Sequence, residues 1–293
     1  MKKKSVMVFI AIACASLTAC GNKQPAADSA TATTEVTTEA GTEETTSEAE
    51  SEEASSMPID EGNTAEYIVT VDMTDASQEI KSEEDVLLLK VTASFPDVTI
   101  DGSAAAADNI NDFYAKEKES FDATVKENET FAKEDYAARS KEEQANFFNY
   151  EMMQSYTAKR TDDACISIIS DTYQMTGGAH GNAVRTGATF DTASGQQLTF
   201  KDVFTDVDKA KEFINQYLLE EFKTDKYKDM LFEDYEKDVP TILDDNTWYL
   251  SNEGFAVICN EYIVSPHSSG IMEVTIPYAD FTEFSDTYKS AAK

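Results

Sequence analysis

The feature that most limits how this chain can fold is a stretch of 36 residues near its start, 23–58. It consists mostly of Thr, Ser, Glu and Ala, contains no aromatic residue, and carries nine acidic side chains against one lysine. Such a segment buries too little apolar surface to offset the entropy lost on ordering it. We therefore predict a disordered acidic linker over residues 21–62 and expect the folded part to follow it.

The charge of the chain excludes one large class of partner. The 293 residues include 56 acidic and 24 basic side chains, a net charge of −32. A nucleic-acid-binding protein needs Lys and Arg to neutralise phosphates, so we expect no nucleic-acid partner. Residues 59–293 alone hold 47 acidic and 20 basic side chains, a net charge of −27. The folded part is thus acidic independently of the linker.

The first twenty residues have the pattern of an export signal. Three lysines, Lys2 to Lys4, precede an apolar run of about ten residues, 6–15, which is too short to span a bilayer. The sequence Leu17-Thr18-Ala19-Cys20 then resembles a bacterial lipobox. We predict a signal peptide over 1–20, lipidation of Cys20 and attachment to the extracytoplasmic side of the cell membrane. An ordinary signal peptide that happens to contain Cys20 is the alternative.

The hydrophobic pattern of the remaining residues predicts an α+β fold. Strand-like runs are followed by helical runs and then by strands again, which favours a largely antiparallel sheet packed by one long and one or two shorter helices. We expect the strand that begins at Val86 to stop at Phe95-Pro96. The predicted strands cover residues 67–73, 86–93, 150–159, 164–175, 183–190, 248–250, 255–259 and 271–276.

Two helices are predicted between these strands. The longer begins at Ala104 after an Asp101-Gly102 turn, with Ser103 as its N-cap, and ends near Gln144 as one helix or a kinked pair. The shorter is capped by Thr205, with Asp208 at the capping-box position. The expected buried positions of the long helix are Ile110, Phe113, Tyr114, Phe121, Val125, Phe131, Ala132 and Tyr136.

Four motifs in a fixed order suggest a family. They are a Gly-Gly-Ala-His-Gly turn at 177–181, a Leu-Thr-x-x-Asp-x-Phe segment at 198–204, Trp248, and a closing Tyr-x-x-x-Pro-x-x-x-Gly and Ile-Pro-Tyr pattern at 262–278. Over roughly residues 64–285 the chain resembles the extracellular domain of RsiV-type anti-sigma factors and the non-catalytic region of PdaC-type peptidoglycan deacetylases. We divide it into an N-terminal half, 63–195, and a C-terminal half, 196–293.

The resemblance implies binding rather than catalysis. RsiV-type ectodomains sense lysozyme, whereas PdaC-type proteins add a deacetylase domain with a metal-binding His pair. This chain has two histidines, His180 and His267, and is too short for that domain. We therefore predict no enzyme activity, no catalytic residue, no metal site and no cofactor. A sigma-binding segment is not expected either.

The candidate binding surface lies on two loops, because recognition residues concentrate on loops. Its residues are His180, Gly181, Asn182, Tyr262, Pro266, His267 and Gly270. The simpler interpretation is that His180 packs and bonds to backbone while the others shape a turn. The predicted partner is a cationic protein such as lysozyme. The alternative is a cell-wall glycan, for which Trp248 and the 13 tyrosines supply stacking faces. An enzyme using the two histidines is a third hypothesis.

Two cysteines remain after export, since Cys14 leaves with the signal peptide and Cys20 is lipidated. Cys165 and Cys259 both lie in strand patterns. An exported protein can form a disulfide between them. Two buried free thiols are the equal alternative, because pairing requires Cα atoms within about 7 Å.

Overall fold

The structure is a computed structural model that describes residues 67–289. The strands in this range are β1 (Ile68–Asp75), β2 (Gln78–Lys81), β3 (Leu87–Asp101), β4 (Tyr150–Thr161), β5 (Cys165–Met175), β6 (Asn182–Asp191), β7 (Trp248–Leu250), β8 (Gly254–Cys259) and β9 (Met272–Pro277). The α-helices are α1 (Ala104–Ala138), α2 (Lys141–Ala145), α3 (Phe200–Val203) and α4 (Val207–Glu221).

The strands form two sheets. The larger has the order β1-β3-β4-β5-β6, with β2 also paired to β3, and the smaller has the order β7-β8-β9. Every pairing is antiparallel except that of β3 with β4. Parallel neighbours require a crossover, which α1 and α2 supply. The predicted α+β class with a largely antiparallel sheet is confirmed.

Two hydrophobic cores stabilise the described region. The helix–sheet core lies between α1 and the large sheet and includes Ile110, Phe121 and Tyr156. The aromatic core packs α3, α4 and the segment that follows β9 against the small sheet. The prediction for Phe131 is wrong, because its side chain is 49% exposed. The buried face of α1 passes through Ala132. Because neighbouring helical residues point about 100° apart, Phe131 points away from that face.

Strand β3 continues through Pro96, contrary to the predicted stop. Pro96 lies opposite Met73 of β1, and β4 pairs with β3 only as far as Ala93. Val98, two residues later, turns its N–H away from β1 to the Asn111 side chain, at 2.8 Å. The nitrogen of Pro96 points the same way, because strand N–H directions alternate. No ladder hydrogen bond is therefore lost at the proline.

The helix boundaries differ from prediction mainly at the caps. Ser103 precedes α1, but its hydroxyl donates to the Ala193 carbonyl instead of capping the helix. Ser140 and Glu143 form a capping box at α2, which confirms the kinked pair. The cap of α4 is Asp206, whose carboxylate accepts from the Lys209 N–H.

Both described cysteines are buried free thiols, so the disulfide alternative is not seen. Cys165 lies opposite Asp191 of β6, whereas Cys259 precedes Asn260, which bonds to Arg185 of β6. Six residues of extended strand, roughly 20 Å, separate these two levels of β6. The cysteines therefore lie at different heights along the sheet.

Within residues 67–289 the structure has no helix long and apolar enough to cross a membrane. The signal peptide, Cys20 and the whole of the predicted linker lie outside the described residues. They stay predictions.

Candidate functional site

The two predicted loops meet on one surface. The ring of His180, between β5 and β6, stacks on the ring of His267, between β8 and β9, with centroids 4.1 Å apart and planes 17° apart. Tyr262 lies on the same loop as His267. Its ring is nearly parallel to the His267 ring, with centroids 6.2 Å apart and planes 10° apart. Tyr262 is 53% exposed. We call these three rings the histidine stack.

Glycine makes the first loop possible. Gly177 and Gly178 have φ values of +97° and +101°, which L side chains rarely adopt. At Gly181 a Cβ would lie 2.3 Å from the ring of Tyr173, so a larger residue there would have to displace that ring. His180 is thereby held at the end of the β5–β6 hairpin. Its Nδ1 lies 2.9 Å from the Gly181 carbonyl oxygen.

The second loop is held by a tight turn. The Tyr262 N–H donates to the Ser265 carbonyl at 2.8 Å, and Tyr262 has a φ of +67°. A bulky residue in this left-handed region is strained, and such residues cluster at functional sites. Pro266 precedes a short 3₁₀ turn that carries His267, and Gly270 ends that turn with a φ of +66°.

Asn260 fastens the second loop to β6, the strand that follows the first loop. Its side chain accepts from the Arg185 N–H at 2.8 Å and donates to the Arg185 carbonyl at 2.9 Å. The Arg185 guanidinium pairs in turn with Asp171 of β5 and Glu273 of β9. Strands β5, β6 and β9 are thus tied together directly behind the histidine stack.

A buried carboxylate supports the stack. Glu261, whose side chain is only 6% exposed, lies 2.5 Å from Nδ1 of His267, whose side chain is 35% exposed. This contact fixes the orientation of the imidazole ring, as a second partner on histidine often does. Neither Glu261 nor Asn260 was in the predicted site. A polar pair directly after a buried strand was the one sequence signal that could have indicated them.

The predicted site residues have different places in this arrangement. His180, Tyr262 and His267 form the stack, and Gly181, Pro266 and Gly270 shape its loops. Asn182 is exposed at the first position of β6, opposite Gln174. The simpler interpretation of His180 holds in part, since it contacts backbone while its ring remains accessible.

The described residues contain no group of three or more His, Cys, Asp and Glu side chains placed to hold a metal ion. The rings of His180 and His267 lie face to face, so their nitrogens do not converge on a common point. Trp248, the proposed stacking face for a sugar, is 2% exposed. Its ring packs on Phe255 in the aromatic core and is not available to a glycan.

Comparison with family models divides the chain into two regions. Residues 80–183 match the model described as deacetylase PdaC, and residues 201–279 match the model described as protein of unknown function DUF3298. The two matches confirm the predicted resemblance to PdaC-type and DUF3298 proteins. The PdaC match covers the non-catalytic region, not the deacetylase domain.

One solved structure supports the fold. A member of the DUF3298 family from Bacteroides fragilis is similar with a TM-score of 0.56 and 18% identity, over 75% of this chain and 94% of its own. A DUF3298 family protein from Pseudomonas aeruginosa gives a TM-score of 0.47 and 14% identity, over 75% and 97%. No curated protein matches the chain significantly.

Proposed function

We propose that this protein is a non-catalytic binding or sensing lipoprotein, anchored through lipidated Cys20 on the extracytoplasmic side of the membrane. Its partner is a cationic protein, with a lysozyme-like muramidase as the leading candidate. The observation that carries this proposal is the convergence of two separate loops into the exposed histidine stack. Loops positioned by a rigid sheet are where recognition residues concentrate.

The histidine stack has the properties of a preorganised contact. Tyr262 offers an exposed ring with a polar hydroxyl, the combination that is enriched at binding hot spots. Its backbone is held in a strained conformation by the Ser265 bond, and His267 is fixed by Glu261. A surface already ordered before binding loses less conformational entropy on association.

The charge of the folded part supports a basic partner. Residues 59–293 carry −27, and among residues 67–289 fewer than half of the carboxylates form an ion pair. Long-range attraction of opposite charges accelerates association tenfold or more at low salt. The same attraction weakens as the salt concentration rises, because the screening length is about 10 Å at 0.1 M.

The test is binding of hen-type lysozyme to the full-length protein in detergent, measured over rising salt. We expect a complex at low salt and weaker binding as the salt concentration increases. Tyr262→Ser should weaken binding about tenfold or more. The matched control is Phe148→Ser, which removes an aromatic side chain that is 61% exposed at a different place. No complex at low salt would overturn the proposal.

Pelleting with purified cell-wall sacculi separates this proposal from the glycan alternative. A protein-binding module should stay in solution with sacculi alone and should pellet only when a wall-bound protein partner is present. Direct pelleting, retained in the Tyr262→Ser variant, would instead support a glycan-binding module.

A further inference from the structure

The histidine stack continues into an acidic segment, residues 225–234, that lies beside it. We propose that this segment is the second half of the docking surface, with Phe232 as an apolar contact and Asp229 and Glu233 as the partners of Lys or Arg side chains. This inference rests on the proposed function and assigns residues of the interface that the sequence motifs do not include.

Two hydrogen bonds place the acidic segment against the loop of the stack. The Phe232 N–H donates to the Val264 carbonyl at 3.0 Å, two residues from Tyr262. The Ser269 hydroxyl donates to the Met230 carbonyl at 2.7 Å, two residues from His267. The segment therefore follows the loop from Val264 to Ser269, and the two form one continuous surface.

The carboxylates of this segment differ in their pairing. Asp225 pairs with Lys228, and Asp234 pairs with Lys237. Asp229 and Glu233 are exposed, and among residues 67–289 no cationic side chain lies within ion-pair distance of either. These two charges flank Phe232 and are available to an external cation.

Phe232 is exposed although a core lies beside it. Its side chain is 36% exposed, whereas Met230, Leu231 and Tyr235 pack against the aromatic core. The hydrogen bond to Val264 fixes the backbone of Phe232 beside the loop of the stack. An apolar centre with a charged rim is the usual composition of a protein interface.

The chemistry of the surface selects one kind of occupant. Unpaired carboxylates repel the phosphates of a nucleic acid and of an anionic membrane. They attract a protein whose Lys or Arg residues surround an apolar patch, and such rim charges act mainly on the association rate. The occupant is therefore a basic protein that contacts Tyr262 and Phe232 together.

The experiment measures association and dissociation of hen-type lysozyme with the full-length protein in detergent. The test variants are the double change Asp229→Asn, Glu233→Gln and the single change Phe232→Ser. The matched control is Asp108→Asn, Asp112→Asn, which removes the same charge from exposed positions on α1. These lie near Ser194, beyond the end of β6 opposite to the stack.

We expect the double variant to associate about threefold or more slowly than the control at 50 mM salt and to depend less on salt. Phe232→Ser should raise the Kd about tenfold. Equal association rates for the double variant and the control, together with an unchanged Kd for Phe232→Ser, would overturn this inference while wild-type binding leaves the proposed function intact. No binding by the wild type would overturn both.

Discussion

The two large cores of the described region differ in the side chains that they contain. Beneath α1, the helix–sheet core contains a polar stripe, in which Asn128 accepts from Gln174 and Gln154 donates to Ser170. Rings contact rings in both cores, as Phe95 and Phe121 do beneath α1, but in the aromatic core six of them form one connected group. Those rings belong to Phe200, Phe204, Trp248, Phe255, Phe281 and Phe284.

The two kinds of contact contribute differently: apolar burial stabilises the fold, and polar pairs specify how its parts are oriented. Packed rings bury a large apolar surface and contribute most of the stabilisation. Buried polar side chains contribute little net free energy, but each must meet its partner, so they fix how the helix lies on the sheet. The candidate binding surface includes residues from both regions, because His180 precedes β6 and Tyr262 follows β8.

Truncation in the aromatic core should have the largest effect. Phe255 is fully buried and contacts Trp248 and Phe204, with ring centroids 5.3 Å away in each case. Phe255→Ala should lower the free energy of unfolding by about 3–5 kcal/mol. Chemical denaturation would measure the change, with Phe148→Ala as a control expected within about 0.5 kcal/mol of wild type. Equal losses for both variants would contradict the importance of this core.

Arg160 connects β4 to the segment that follows β9. Its substitution should have the second largest effect on stability. Its side chain is fully buried, pairs with Asp162 at 2.6 Å, and donates to the Tyr278 hydroxyl at 3.0 Å and the Tyr288 carbonyl at 2.6 Å. Arg160→Met fills similar volume but removes the donor of the Tyr288 carbonyl and the bonds from Arg160 to Asp162 and the Tyr278 hydroxyl, so we expect a loss of about 2–3 kcal/mol. Protease cleavage after the last strand should also accelerate. Unchanged denaturation and cleavage would show that the junction does not depend on Arg160.

The third effect is a change of stability with pH at Glu117 of α1, whose carboxylate accepts from the hydroxyl of the core residue Tyr156. Burial raises the pKa of Glu117, while its hydrogen bond to Tyr156 lowers it by less. A carboxyl with a folded pKa above its unfolded value reduces stability as the pH rises between those two values. Glu117→Gln should therefore stabilise the protein at pH 7 and flatten this decline. The control is the exposed Glu119→Gln. Melting curves from pH 4 to 7 would measure the change, and an equal response of the two variants would contradict the prediction.

The cysteines should show the smallest effect, namely no reaction in the folded state. Burial raises the pKa of Cys165 and of Cys259 to about 12, so both are protonated at pH 8 and poorly nucleophilic. In the processed chain we expect no labelling by a thiol reagent before unfolding and two labelled thiols per chain after it. No labelling after unfolding would indicate a disulfide.

Local pattern determined much of the fold. The hydrophobic pattern located most of the strands, although it missed β2 and ended β3 eight residues too early. The helical period located the helical region that ends near Gln144, but not the break between α1 and α2. These features depend on neighbours in sequence. The family resemblance also followed from the sequence, because the motifs between 177 and 278 occur in a fixed order.

Only tertiary contacts decided the rest. Pro96 stays inside a strand because no strand pairs with its nitrogen side, and Cys165 and Cys259 stay unpaired because they lie at different heights of the sheet. The sequence indicated two candidate loops but not that His180 would stack on His267, since 87 positions separate them. Contacts between distant segments depend on how sheets pack, and no local period encodes that packing.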